Sequence, residues 1–564
     1  MHLCPSERCG AGDGKRSPVP EKCRIGGHNM NIMRLFRKHK SKISFTMAVL
    51  LAVGFSGCGS ASQNAAVSLT VLSASENKEI APIITQFTKQ TGIKVNMVYK
   101  GSVDIMQTLQ QGNIPYDAVW PANSMWINLG DKAHKVKLQQ SIMTSPVVFG
   151  VEKDLAEQLG YVGHDVTVDT ILQDVKAGKL KFCMTSATQS NSGASAYIGF
   201  WYALRGNPDV LTEADLNDQT AQNQMKELLS GVNRSSGSSE WLKDLYLQGG
   251  YSAMVNYEDV IIETNKELVK QKKQPLYVVY PKDGLTIADS PLGYIDNANS
   301  AKESAFKKFQ SYLLSDKVQK ALQSYGRRTG TGSTVTVNEP ATFNPAWGID
   351  TSRTLNTFRM PDAGVLVDAL NLYQTSLRKP SYTVYCLDYS GSMGDNGGET
   401  GVKKAMDMIL NQSTAKLYFL QATPQDKIAV IAFSDSVKAE WYATGGDLSS
   451  MSTLDQNIQK LQAGGGTDIY TPVMTALQQL AGADVSQCNP AVILMTDGQS
   501  NTGRTFTNVQ STYKSIGKDI PIFSIEFGAA DPTQLKQFGT LSKAALFDGR
   551  KDLVAAFKQA KSYN

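Results

Sequence analysis

The chain has 564 residues, 41% of them hydrophobic and 19% charged, with 56 Lys and Arg against 51 Asp and Glu. The basic excess sits at one end. The first 57 residues hold 10 of the basic and 3 of the acidic residues, leaving 46 against 48, a net charge of −2. That balance gives no footing for nucleic-acid binding, and the remaining 507 residues or so suit three or four structural units.

Residues 1–29 hold Cys4, Cys9 and Cys23 in a polar setting without an apolar run. Their irregular spacing, with no paired Cys-x-x-Cys, argues against a zinc site. We read 1–29 as lying upstream of the true start, expected at Met30 or Met33. Met33 to Lys42 is strongly basic, and Ile43 to Phe55 is apolar but too short to span a bilayer. The run ends in Phe55-Ser56-Gly57-Cys58, which resembles a bacterial lipobox, with Phe where Leu or Val is usual. The resemblance implies a signal region over 1–57, lipid attachment at Cys58 and a short tether over 58–66. It implies a lipid-anchored protein on the extracellular face of a bacterial cell membrane. After Cys58 only Cys183, Cys386 and Cys488 remain. Cys386 and Cys488 differ by about seven residues in their distance from strand-ending aspartates, roughly 20 Å at strand rise. A disulfide between them is excluded, and three free thiols are expected.

Residues 67–345 open with an apolar strand at 68–72, a polar turn at 73–77 and a helix near 78–90. Strands follow by alternation at 93–99 and 116–120. This βαβ rhythm predicts a doubly wound sheet. A second sheet is expected from 145–151, 180–184 and 251–255, a return near 276–285, and helices at about 301–315 and 316–325. The layout resembles a bacterial extracellular solute-binding protein of the two-lobed, type II periplasmic kind. The likeness is carried by Gln90 to Val95, Tyr116 to Ser124, Thr185 to Ser195, Met254 to Glu258 and Gly326-Arg327-Arg328.

In such a clamshell the solute lies between lobes, touched by strand-end loops and helix starts. The candidates are Ser73, Ser75 and Asn77 in the first turn, Asn123 and Ser124 after the third strand, and Ser192, Gly193 and Ser195 at a helix start. Tyr257 and Glu258 approach from the second lobe. Helix N-termini favour an oxyanion or carboxylate, whereas Glu258 would oppose one, so the solute stays unnamed. Each serine reads equally well as an N-cap or turn residue.

A connector spans 346–380. Val365, Val367, Leu370, Leu372 and Tyr373 form a loose helical stripe ending at Arg378-Lys379-Pro380, able to pack on either neighbour. The last region, 381–564, contains apolar runs at 383–387, 427–433, 491–495 and 521–528 that read as strands buried on both faces. An antiparallel edge strand is expected at 437–442. Helices are expected at 399–417, 454–461, 532–544 and 553–561.

Two of those strands end in polar motifs, Asp388-Tyr389-Ser390-Gly391-Ser392 and Thr496-Asp497-Gly498, and a third motif is Gly464-Gly465-Gly466-Thr467-Asp468. Asp-x-Ser-x-Ser alone reads as a turn of helix-capping residues. All three in order resemble the metal-ion-dependent adhesion site of von Willebrand factor A (VWA) domains, a Rossmann-like α/β fold. The resemblance implies Asp388, Ser390, Ser392, Thr467 and Asp497 as an all-oxygen shell for Mg²⁺, or Mn²⁺ or Ca²⁺, with Asp468 outside it. An open coordination position would take a partner's carboxylate. His134 and His164, the only histidines after residue 57, read as solvent-facing.

The expectation is therefore an α/β, non-enzymatic, lipid-anchored surface protein that binds a protein partner through its metal and a small anionic or polar solute through its clamshell. Two alternatives remain, the substrate-binding component of an ABC-type uptake system and an envelope assembly factor recruiting a membrane complex.

Overall fold

A computed structural model describes residues 67–111, 113–330, 339–352, 355, 358–395, 397–501 and 504–562. The signal region, Cys58 and the tether lie outside the described residues. Eleven strands build the first region. They are β1 (Ser68–Ala74), β2 (Lys94–Lys100), β3 (Ala118–Trp120), β4 (Val136–Ser141), β5 (Ser145–Glu152), β6 (Phe182–Thr185), β7 (Val232–Ser236), β8 (Ala253–Tyr257), β9 (Leu276–Val279), β10 (Ile287–Ala288) and β11 (Pro291–Ile295).

Lobe one is a five-stranded sheet in the order β2-β1-β3-β11-β4, with β1 parallel to β2 and β3 and with β11 antiparallel to β3 and β4. Lobe two follows the order β10-β5-β8-β6-β7, with β9 also on β5. The two sheets share strands with nothing but short crossings, as where Thr144 pairs with Arg328 between them. The first helix departs from expectation. Ser75–Lys78 is a 3-10 turn and the α-helix Ala81–Thr91 starts later, with Pro82 in its first turn and Gly92 closing it at φ +72°. The sequence reading missed β4, whose VKLQQS is exposed along nearly its whole length and has no apolar alternation. It also missed β7, and it merged three short strands into one return segment.

The second region is one six-stranded sheet of β12 (Ser381–Asp388), β13 (Lys427–Phe433), β14 (Val437–Thr444), β15 (Asn489–Thr496), β16 (Ile522–Glu526) and β17 (Leu546–Asp548). The order is β14-β13-β12-β15-β16-β17, all parallel except the edge strand β14. Helices cover both faces, so the central strands are buried throughout. The helix expected over 399–417 is two, Gly398–Leu410 and Gln412–Leu417. Asn411 ends the first, and its side chain accepts from the Ser413 and Thr414 amides to start the second.

The connector helix Ala363–Leu372 continues into a π turn, Tyr373–Leu377. Its buried stripe is Leu366, Ala369, Leu370, Tyr373 and Leu377, while Val365, Val367 and Leu372 are only half-buried. The stripe thus follows the 3–4 spacing of a helix, offset from the expected one. It packs on both neighbours. Tyr197 of lobe two donates to Ala369 O at 2.8 Å, and Gln374 donates to Gln421 O at 2.7 Å.

Further contacts tie the second region to each lobe. Lys558, on the helix Leu553–Ser562, holds Asp104 and Gln107 of lobe one. Asp519 accepts from Arg234 and Tyr251 of lobe two at 3.0 and 2.8 Å. The thiols of Cys183, Cys386 and Cys488 are free. Among the described residues, no helix is long and apolar enough to cross a membrane.

Candidate metal site and solute cleft

Both motif strands of the sheet, β12 and β15, are parallel and end at the same edge, because Leu387 pairs with Met495. The chain leaves that edge through polar turns, where strand ends in parallel sheets collect ligands. Asp388, fully buried, accepts the Ser390 amide on Oδ1 at 2.7 Å and the Thr496 hydroxyl on Oδ2 at 2.6 Å. Ser392 donates to Asp497 Oδ1 at 2.8 Å and lies 3.3 Å, oxygen to oxygen, from Ser390.

The loop bearing Thr467 is drawn in by backbone bonds, Gly391 N to Gly465 O at 3.0 Å and Gly464 N to Tyr389 O at 2.9 Å. Gly465 adopts φ +92°, a conformation that suits glycine. A Cβ at Gly498 would stand 3.0 Å from Thr467 Oγ1 and 3.7 Å from Ser392 Oγ. All five predicted side chains therefore meet at one place. Asp468 is spent otherwise, accepting the Tyr470 and Thr471 amides at the start of the helix Tyr470–Leu480.

Four of the five are buried, and Ser392 is exposed. Burial raises the carboxyls of both Asp388 and Asp497 above the ordinary range. Neither carboxyl is ion-paired among the described residues. The donor set fits a hard divalent cation, with two carboxyls and three hydroxyls facing one point and one of them open to solvent. Bound there, the cation would offer a Lewis-acidic position to an incoming carboxylate. Sequence reasoning missed Thr496, which orients Asp388, and Asn501, whose Oδ1 accepts the Thr467 amide at 3.1 Å. Thr496 was legible as the residue before Asp497, while Asn501 had no motif to mark it.

The cleft between the lobes is closed. Trp126 of lobe one donates to Asn191 of lobe two at 2.7 Å, and Lys243 reaches across to Glu79 at 3.3 Å. Its remaining space is about 10 Å³, room for roughly one water, bordered by Glu76, Tyr257, Asp259, Ser290 and Arg327.

Most of the predicted solute contacts are engaged within the protein. Ser73 accepts from Asn77 at 3.0 Å, and Ser75 is half-buried in the 3-10 turn. Asn123 spans the Ile287 carbonyl and the Met125 amide, and the Ser124 amide donates to Asp289. Ser192 bonds Thr185 and Ser239, both at 2.8 Å, and Ser195 donates to Asn191. Gly193 packs so close to the Thr185 carbonyl that a Cβ would lie 2.1 Å from it. Tyr257 accepts from Asn191 at 2.9 Å. Glu258 is fully buried in a two-bond pair with Arg328, 2.7 Å each, with Tyr280 also on it. The conflict between Glu258 and an anionic solute is thereby resolved, since Arg328 neutralises it.

The groups bordering the remaining space are others. Burial pushes the Glu76 carboxyl up to about 7, against a smaller opposing pull from its backbone hydrogen bond and Arg327. Arg327, buried against Asp259 and Glu263, is brought down to about 10 by burial. Glu79, Glu240 and Glu263 also gather close enough to hold an ion, but the Lys243 ammonium already sits among them at 3.3, 2.7 and 3.5 Å. Both residues that frame this network, Glu76 and Arg327, lie inside segments the sequence had marked, one step from the residues chosen.

The geometry defines a two-lobed α/β module followed by a parallel sheet with an oxygen-lined edge. The family comparisons name both parts. Residues 69–328 match the family model for bacterial extracellular solute-binding proteins, and residues 384–556 match the von Willebrand factor type A domain. The chain therefore carries a solute-binding domain and a VWA domain in that order.

Similar structures include the sulfate-binding protein SubI from Mycobacterium tuberculosis H37Rv. That match has 18% identity and a TM-score of 0.38, and covers 53% of this chain and 96% of that one. Another is a von Willebrand factor type A protein from Catenulispora acidiphila, at 20% identity and a TM-score of 0.28, covering 33% and 43%. A curated relative, calcium-activated chloride channel regulator 3A-1 of Mus musculus, is 24% identical over 195 residues, 33% of this chain. The chain spans only 20% of that relative's length.

Proposed function

We propose that this is a surface-anchored binding protein. Its VWA domain captures a carboxylate of a protein partner through a divalent cation held by Asp388, Ser390, Ser392, Thr467 and Asp497. Cys58 carries the lipid that tethers it to the outer face of the cell membrane, and the clamshell receives a small solute. The observation behind this reading is the convergence of Asp388, Asp497 and three hydroxyls at one sheet edge, with Ser392 open to solvent. The carboxyls there face an ion position, and catalysis needs a nucleophile or general base that this set does not supply.

The test is capture of partners from native membranes in three arms, with Mg²⁺, with EDTA, and with Asp388→Ala in Mg²⁺. A partner held in the first arm alone supports the reading. The same proteins in all three arms, or none in any, refute it and direct attention to the clamshell.

A further inference from the structure

A second recess lies far from both sites. Lobe two, the end of the connector and the VWA domain enclose a cavity of about 730 Å³. It opens at the starts of β12 and β15, since Pro380, Asn489 and Pro490 line it. The metal edge is at the other end of the same strands, roughly 25 Å away at strand rise. Small-molecule sites fall in this size range and favour domain boundaries.

The wall is strongly one-signed. Lys181, Lys226, Arg234, Arg378 and Lys379 line it against a single carboxylate, Asp519. Asp519 is already taken by Arg234 and Tyr251. Arg378 is paired outside the lining, with Asp426. None of the three lysines pairs with a carboxylate among the described residues, and Lys181 and Lys226 are exposed. Two donors add to this charge. The Nε–H groups of Arg234 and Arg378 are buried and have no partner within the protein. Arg234 is 6% exposed, so water does not readily serve it. Ser235, Gln425 and Asn489 contribute further polar lining. Donors and cations without matching acceptors call for an acceptor-only ligand of high charge, and the polar lining disfavours an apolar one.

We propose that this interdomain cavity is a binding site for a small multivalent oxyanion, a phosphate ester or a polycarboxylate. Its walls come from both domains, so the bound anion bridges them and stabilises their docking. The site is independent of the metal edge and of the cleft between the lobes.

Cys488 lies on the wall and is half-buried, whereas Cys183 and Cys386 are fully buried. Its alkylation therefore reports occupancy. The full-length protein is treated with a small thiol reagent in metal-free buffer, and modification is mapped to Cys488 by mass spectrometry. Inorganic pyrophosphate and a tricarboxylate are the two probes, with sodium chloride at matched ionic strength as control. We expect one or both probes to slow labelling of Cys488. Half-protection should need about tenfold more probe in the Lys181→Ala/Lys226→Ala variant, whose changes are solvent-exposed and leave the fold intact. The probe that protects decides between phosphate and carboxylate chemistry. No protection by either, equal protection by sodium chloride, or undiminished protection in the variant overturns the proposal.

Discussion

The two candidate sites handle their polar residues in opposite ways. At the VWA edge, buried carboxyls and hydroxyls converge on one another with no cation from the protein to answer them. In the cleft between the lobes, the protein supplies its own answer. Arg327, Arg328 and Lys243 sit on Asp259, Glu258, Glu240 and Glu263, and little space is left. The first arrangement is a socket, and the second is a closed ionic lock. A cluster of acidic side chains therefore says little until the positions of the nearest cations are known.

The largest expected effect comes from breaking the lock. Arg328→Ala strands Glu258, which is fully buried, and should destabilise the protein by about 3–5 kcal/mol. Urea unfolding of the wild type and the variant reads this directly, and Glu258→Gln in the Arg328→Ala background should recover part of the loss. A cost below about 1 kcal/mol would mean that the pair is hydrated and the lock is loose.

The socket should respond to the ion rather than to substitution alone. Saturating Mg²⁺, at a hundredfold excess over Kd, is expected to stabilise the fold by about 2.7 kcal/mol. Asp388→Ala and Asp497→Ala should abolish that increment while the lobes remain unaffected. Thermal unfolding with and without Mg²⁺ measures it, and the Arg328→Ala protein should keep the full Mg²⁺ response. If the response vanished there too, the two regions could not be treated as separate.

Sequence made the socket legible because each ligand is fixed by a strand end or a loop whose residues are contiguous. Asp388 and Asp497 terminate adjacent strands, and Thr467 follows three glycines that let the loop fold inward. The cleft was less legible for a physical reason. Its contacts join residues such as Glu76, Asp259 and Arg327, up to 251 positions apart, and no local pattern records which side chain reaches which. The serines chosen from the turn and helix starts stood in the right segments, but hydrogen bonds to neighbours such as Thr185 and Ser239 consumed them. The interdomain contacts of Lys558, Asp519 and Lys543 carried no sequence signal of any kind.

A pH titration separates lock chemistry from socket chemistry inside the VWA domain itself. Burial alone would raise the Asp426 carboxyl, but the Arg378 guanidinium outweighs it and holds the group down to about 2. The unfolded value is near 3.9. A depressed folded value stabilises the native state above pH 4, and the contribution disappears as pH falls from about 4 to 2. It is on the order of 2 kcal/mol. Acid unfolding of Arg378→Leu should lose this pH window, whereas Asp497→Ala should keep it.

The smallest effect concerns the tie between the VWA domain and lobe one. Lys558 holds Asp104 at 2.5 Å, and the two side chains are 12% and 15% exposed. A partly buried pair of this kind is worth about 1 kcal/mol or less. Its position matters more than its strength. The helix Leu553–Ser562 closes the VWA domain, and Asp104 lies in the helix Ser102–Leu109 of lobe one, while Asp519 and Lys543 hold lobe two. The VWA domain thus grips both lobes, and any hinge opening that separates them must strain one grip. A double-mutant cycle of Lys558→Met with Asp104→Asn should return a coupling of roughly 0.5–1 kcal/mol in unfolding. Amide exchange in Ser102–Leu109 should quicken in either single variant, because that helix loses its anchor. Coupling near zero with unchanged exchange would show that the VWA domain rests on lobe two alone, leaving lobe one free to open without disturbing the metal-bearing domain.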